Sequence, residues 1–520
     1  MNETVINRIV SVPPARGHRI TLHRRGSTQS VELTELYQQV GRVARFLADL
    51  GARRGHRIGV LAANCLEWVL LDLAGLRLGV VIAGLEHGKF DATPELLDRY
   101  RLRFLFTDQP SDTPGVRQLT EVARAAADLD SRDVPPPVTY RPEDTTTLKF
   151  TSGSTGEPKA LAATVASIDG SIGAVQEMFS HRPGDNLFVF LPLSLLQQRY
   201  WIYSALRFGH DVTVTSYADS FVALRRARPT VVMGVPAFYE LARRRIEAWS
   251  ERAVPTPAPT GDQLRSEASR VFGGRIRYLW TGSAPADAAM LRFYDEVGLP
   301  LYEGYGLNET CIVAKNHPGA HRVGSVGRVV RGKEVLFDED GVISVRSAHP
   351  VNVAYAHAAP GESERVFGED GLVRTGDLGY LDGDGFLFIR GRGDDVLVLE
   401  NGRKIDVRPI EEFLRGSPAI EECVLFCPNR AALVAVVSPG PGTGDEQAIA
   451  ERLAEANAAF GKDFRIRRAV VARSPFSIEN GLLTSQYKPR RGDILDAYRS
   501  EVEDDSGGVY PEPVRTSSEG

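Results

Sequence analysis

The sequence predicts an α/β protein of layered domains, with a smaller β-rich subdomain from about residue 323 and a small α+β domain at the C-terminal end. Three observations carry the layered part of that expectation. Apolar runs of strand length alternate with amphipathic helical stretches up to about residue 323. Short strands split by Gly, Asp and Asn turns follow, and a compact strand–strand–helix–strand unit begins near Arg392. Strands separated by helices imply parallel βαβ units in layers.

The elements follow in order. Thr34 is placed to cap a helix with Leu36, Val40, Val43, Leu47 and Leu50 on one face, ended by Gly51. RIGVLA at 57–62 reads as a buried strand, and Asn64 is placed to cap a helix through Leu66, Val69, Leu70 and Leu73. Strands are expected at 102–107, 186–193, 211–216, 229–235 and 275–282. After 323, VGSVGRVV, EVLFDEDGVISVRS and GFLFIRGR give a β-rich subdomain. The last unit has strands at 422–427, 432–438 and 467–472 and a helix over 445–460, and 501–520 reads as a disordered tail.

Composition narrows the classes of function. The 520 residues carry a net charge of -5, with 42% hydrophobic and 25% charged residues, the balance of an ordinary soluble globular protein. The mild acidity argues against nucleic-acid binding, and no run approaches the roughly 20 apolar residues that span a bilayer. The four cysteines, Cys65, Cys311, Cys423 and Cys427, make no disulfide scaffold; reduced thiols in the cytoplasm are expected. Only eight of the 62 basic residues are lysine, so each lysine marks a position where Arg has not taken over.

Among the motifs, TSGSTGEPK stands out. Its glycines let backbone N–H groups approach a phosphate, its hydroxyls can donate, and Lys159 adds a compact charge. It is neither a Walker A loop nor a dinucleotide fingerprint, and Ser154 has no evident base partner that would make it a nucleophile. TGSAP at 281–285, YEGYGLNET at 302–310, RTGD at 374–377, DGDGFLFIRGRGDD at 382–395 and NGLLTSQYKPRR at 480–491 are each weak alone. DGDG lacks the other ligands of an EF-hand, and Cys423 and Cys427 read as core thiols rather than zinc ligands.

In this order and spacing, from about residue 30 to 495, the segments resemble the adenylate-forming (AMP-binding) enzymes, most nearly their long-chain acyl-CoA synthetase branch. The resemblance implies a large N-terminal domain over 1–391, of two α/β layered subdomains plus a β-barrel-like subdomain, a hinge at 392–394 centred on Asp394, and a small, mobile α+β C-terminal domain over 395–500. It implies that a carboxylic acid attacks ATP to give an acyl-adenylate and pyrophosphate, and that coenzyme A or a carrier-protein thiol then takes the acyl group. Thr151, Ser152, Gly153, Ser154, Thr155, Gly156 and Lys159 would hold phosphates. Gly282, Ser283, Ala284 and Pro285 would line the adenine, and Glu303, Gly304, Tyr305, Gly306 and Asn308 would surround the nucleotide, with Tyr305 stacking on the base. Glu309 and Thr155 would hold Mg2+. Asp377 would take the ribose hydroxyls, Arg392 would reach the nucleotide, and Lys488 would bridge carboxylate and α-phosphate. Glu309 and Lys488 are the expected catalytic pair.

RPTVVMGVPAFYE places Val232, Met233, Gly234, Val235 and Phe238 as an apolar acyl pocket, or equally as a core strand and helix. No Asp occurs in 229–238, which disfavours a free amino acid as substrate. Two departures stand out. Leu195-Leu196-Gln197-Gln198-Arg199 replaces the family's His-x-x-Glu-Arg, which points to an unusual or bulky acid, and the segment after the hinge has a single Gly402. The expected assembly is a monomer or homodimer. The competing class is a catalytically reduced member that binds nucleotide or acyl groups; intact Lys159, Glu309, Asp377, Arg392 and Lys488 favour the enzyme.

Overall fold

The computed structural model describes residues 3–128, 133–151, 158–253, 260–351, 354–356, 360–393, 396–398, 404–428, 432–440, 445–460, 465–484, 487–504 and 507–511. Among them, two large sheets form the N-terminal body. One has six strands in the order Val116–Gln118, Leu102–Thr107, Arg57–Leu61, Val81–Leu85, Thr145–Phe150, Ala160–Thr164. All its pairs are parallel except the last. The other has nine strands, and its central run Asp211–Val214, Asn186–Val189, Val231–Gly234, Tyr278–Thr281, Leu301–Leu307 is parallel. One place in from its edge, which is Ser27–Glu32, the early strand Arg19–Arg24 pairs parallel with Asp211–Val214, Ile20 opposite Val212.

Between the sheets lies the largest apolar core, fed by helices Leu33–Asp49, Leu66–Leu78, Val165–Phe179 and Leu196–Phe208. Leu66–Leu78 is apolar around most of its circumference and buries Leu66, Trp68–Leu71 and Leu73–Leu76, as a helix covered on both sides must. Inside this apolar layer, fully buried Arg199 donates to Asp72 Oδ1 at 2.6 Å and to Thr147 Oγ1 at 3.2 Å, and Tyr203 Oη donates to Asp72 Oδ2 at 2.6 Å.

The β-rich region is a four-stranded antiparallel sheet, Lys333–Phe337, Val342–Ser347, Leu372–Leu381, Leu387–Arg392. The C-terminal domain carries Ile420–Phe426, Leu433–Pro439 and Ile466–Val471. Helices Arg408–Arg415 and Glu446–Phe460 share one apolar cluster with these strands, and Arg491–Glu503 packs into another.

Two expectations need correcting. Of the tail expected over 501–520, residues 501–504 and 507–511 are tied down: Val509 pairs with Ala469 through two backbone hydrogen bonds, and buried Arg468 donates to the carbonyls of Glu501, Val502, Asp504 and Gly507; 505–506 and 512–520 lie outside the described residues. The expected helix caps are also displaced. Glu32, not Thr34, precedes the first long helix, and Cys65 rather than Asn64 caps the next, its Sγ accepting from Trp68 N–H. Asn64 instead ties neighbouring loops, with Nδ2 donating to the carbonyls of Leu191 and Thr215 and Oδ1 accepting from Leu193 N–H.

Candidate active site

The site is assembled at strand ends, where polar side chains can leave the sheet without breaking its ladder. The edge hairpin of the six-stranded sheet has Thr151 and Lys159 at its mouth, closed by Thr151 N–H to Lys159 O at 2.9 Å and Lys159 N–H to Thr151 Oγ1 at 3.2 Å. Ser152, Gly153, Ser154, Thr155 and Gly156 lie outside the described residues. Lys159 reaches Glu362 at 3.2 Å and stands 5.2 Å from the ring centre of Tyr355. Tyr355 Oη in turn donates to Glu309 Oε1 at 2.7 Å.

Glu309 sits on a tight reversal between Leu301–Leu307 and Cys311–Lys315. Gly306 is required there: a Cβ would fall 2.0 Å from the Cys311 carbonyl oxygen. Cys311 itself takes φ 55, a left-handed conformation that costs a non-glycine residue on the order of 1–3 kcal/mol. Two lysines hold the reversal from behind. Lys149 Nζ donates to Asn308 O, and Lys333 Nζ donates to Thr310 O at 2.8 Å. Neither lysine was legible as a site residue in the sequence, and neither were Tyr355 and Glu362.

Across the cavity, Asp377 is buried and its carboxylate is held by Tyr305 Oη at 2.5 Å and by Arg392 Nη1 at 3.5 Å. Burial, reinforced by Asp377, pushes the Tyr305 phenol well above its usual range, so it stays a donor. Ser283 adopts φ 68 beside Ala284 and Pro285. Glu303 accepts from Ala286 N–H at 2.9 Å, and burial pushes its carboxyl up to about 7. Gly282 lies beneath this wall, where a Cβ would come 3.2 Å from Gly304 O.

Lys488 comes from the C-terminal domain. Burial lowers its ammonium to about 8, opposed by the negative charge of Asp377 and assisted by the positive charge of Arg392. Its backbone is tied on both sides to Thr484: Thr484 N–H donates to Lys488 O at 2.8 Å, and Lys488 N–H donates to Thr484 Oγ1 at 3.1 Å.

One cavity of about 1640 Å3 takes in Thr151, Lys159, Ser283, Ala284, Pro285, Glu303, Gly304, Tyr305, Gly306, Asn308, Glu309, Asp377, Arg392 and Lys488. These residues span the sequence from 151 to 488. The structure thus brings together every described residue expected around the nucleotide except Gly282. Asp394, the expected hinge, lies outside the described residues.

The model of the AMP-binding enzyme matches residues 13–343, and that of the AMP-binding enzyme C-terminal domain matches 394–505. The chain belongs to the AMP-binding enzyme family. Its relatives within that family include the long-chain-fatty-acid–CoA ligase FadD15 of Mycobacterium bovis, 26% identical over 92% of each chain. Human long-chain-fatty-acid–CoA ligase 1 is 24% identical over 90% of this chain and 82% of its own. The crystal structure of ATP-bound MatB from Rhodopseudomonas palustris superposes with a TM-score of 0.78 at 21% identity, covering 97% of this chain and 100% of that one. The fold of this AMP-binding enzyme is therefore the one its motifs pointed to.

The residues expected to form an acyl pocket do not line the cavity. Val232, Met233 and Gly234 are interior to a central strand, Val235 and Phe238 are buried against Phe190 and Phe221, and none of the five faces the cavity. The alternation that would aim side chains at a ligand is overridden here, because both faces of this strand are covered by core. The cavity wall comes instead from Gly84, Ser194–Gln197, Tyr200, Pro236 and Ala237. Of the segment that departs from the family pattern, Leu195, Leu196 and Gln197 face the cavity while Arg199 is in the core.

Among the described residues no group of three or more His, Cys, Asp or Glu is spaced to cage a metal. Glu309 fits an ion that arrives with phosphates, since Mg2+ commonly takes one or two protein carboxylates and completes its shell with phosphate oxygens and water; Thr155, expected beside it, lies outside the described residues. No helix among the described residues is long and apolar enough to cross a membrane.

Proposed function

We propose that this protein activates a hydrophobic carboxylic acid with ATP, forming an acyl-adenylate and pyrophosphate, and passes the acyl group to the thiol of coenzyme A. The observation that carries the reading is the arrival of Lys488, from the C-terminal domain, in the cavity that holds Asp377, Arg392, Lys159 and Glu309. The named relatives, long-chain-fatty-acid–CoA ligases, support an apolar acid.

The carboxylate is already a nucleophile, so no general base is needed. The barrier is the approach of one anion to another, and fixed cations lower it. Lys488 and Arg392 lie on the Asp377 side of the cavity, where the ribose and α-phosphate are assigned. Lys159 stands at the phosphate side. Asp377, oriented by Tyr305 and Arg392, accepts from the ribose hydroxyls. Glu309 is the residue that would hold Mg2+, which supplies charge neutralisation along the phosphates. Anions entering beside Lys488 favour its charged form, so substrate binding restores the cation that burial had weakened. After adenylation the C-terminal domain swings about Asp394, and Lys488 withdraws before the thiol attacks.

The acyl chain is assigned to the wall of Gly84, Ser194–Gln197, Tyr200, Pro236 and Ala237. Pyrophosphate release across a panel of fatty and aryl acids, with and without coenzyme A, tests the proposal. Release with an acid and a matching thioester product is expected. Release without a thioester would assign the acyl group to a carrier-protein thiol, and no release with any acid would overturn the reading.

A further inference from the structure

Polar contacts join the C-terminal domain to the body. Arg408 Nη1 donates to Ile389 O at 3.3 Å, and charges at Arg244 and Glu421 face each other. Tyr487 is different. Its ring stacks on Tyr217 of the body with centroids 4.2 Å apart and planes 30° off parallel. Among the described residues this is the sole aromatic pair that joins the two domains. Tyr217 itself contacts Phe190 and Phe238, at 5.7 and 6.1 Å, so Tyr487 extends an aromatic cluster of the body's core.

The backbone at Tyr487 shows that this placement is enforced. Tyr487 has φ 58, a conformation natural to glycine and costly to a bulky residue. Its N–H is held by Thr484 O at 2.8 Å. The next residue is Lys488. Adjacent side chains therefore diverge from one strained turn: the tyrosine goes into the aromatic cluster and the lysine into the nucleotide side of the cavity.

We propose that Tyr487 is a positioning residue for adenylation: by stacking on Tyr217 it latches the C-terminal domain in the pose that delivers Lys488. The proposal rests on the acid-activating reading above for its effect on rate, but not for its effect on domain position. The latch favours only the first half-reaction. Thioester formation requires Lys488 to leave, so a weaker latch leaves that step intact or speeds it.

The test compares the parent with Tyr487→Ala, Tyr217→Ala and Tyr487→Phe. The first assay is ATP–pyrophosphate exchange driven by dodecanoic acid, or by whichever acid of the panel turns over. The second is thioester formation from the corresponding supplied acyl-adenylate and coenzyme A. The third measures distances between spin labels at Val222→Cys and Asp496→Cys, exposed positions on the two domains. Loss of one aromatic pair is expected to lower kcat/KM for exchange about tenfold in either alanine variant. Thioester formation should be unchanged or faster, and the distance distribution should broaden toward longer values. Tyr487→Phe keeps the stack and should stay within about twofold of the parent. Equal loss in both half-reactions, or an unchanged exchange rate with an unchanged distance distribution, would overturn the latch. If the parent turns over no acid, the acid-activating reading fails, and the distances alone decide: broadening upholds the latch and an unchanged distribution removes it.

Discussion

In the proposed reaction Lys488 works as a point charge whose availability depends on pH. Its ammonium is lowered to about 8, so in the free enzyme it loses its proton as pH rises through that value rather than near 10.5. The kcat/KM for adenylation reports the free enzyme and should therefore fall as pH rises above about 8. Thioester formation from supplied acyl-adenylate should lack that limb, and pH profiles of the two half-reactions decide. Lys159 and Glu309 begin differently, each already engaged. On the proposed assignment ATP displaces Glu362 from Lys159, and an ion on Glu309 shares it with Tyr355. A part-exposed ion pair is worth about 0.2–1 kcal/mol, so Glu362→Gln should lower KM for ATP roughly two- to fivefold at most. An unchanged or raised KM would mean that Glu362 does not compete with phosphate.

Among elements, the helices Leu66–Leu78 and Leu196–Phe208 are joined by a buried charge. Asp72 and Arg199 meet at 2.6 Å in an otherwise apolar layer between the two sheets, with Tyr203 and Thr147 as further partners. Removing one member strands the other, at a cost of about 3–5 kcal/mol. Chemical denaturation of Asp72→Leu should show that loss, and the double variant Asp72→Leu with Arg199→Met should recover most of it. If the double variant is as unstable as the single, the pair is stabilising in its own right. This pair also marks a limit of reading from sequence. Arg199 belongs to a family motif beside the expected acyl entrance, yet its side chain lies in the core. Periodicity placed most strands to within a few residues, 102–107 as Leu102–Thr107 and 432–438 as Leu433–Pro439. It failed at caps, where Cys65 took the place expected of Asn64, because tertiary partners at Leu191 and Thr215 claimed the asparagine.

For the molecule as a whole, motif order revealed more than any motif. Thr151, Glu309, Asp377 and Lys488 are remote in sequence and share one cavity, and no local pattern states that they meet. Their family spacing did. That Val232 and Phe238 lie outside the cavity was not legible, because the same residues can line a ligand or fill a core, and only the covering helices decide. Tyr355, Glu362, Lys149 and Tyr487 are placed by long-range contacts that leave no trace at their own positions.

The parallel pairing of Arg19–Arg24 with Asp211–Val214 bears on how the chain is made. Ile20 leaves the ribosome long before its partner Val212 exists. At roughly 5–20 residues per second the wait is on the order of ten to forty seconds. For that interval the hairpin Arg19–Glu32 has no sheet to join, and one edge of Arg19–Arg24 is open to any passing strand. A nascent-chain chaperone that covers residues 19–32 until about residue 214 has emerged would guard this open edge against misassembly during synthesis.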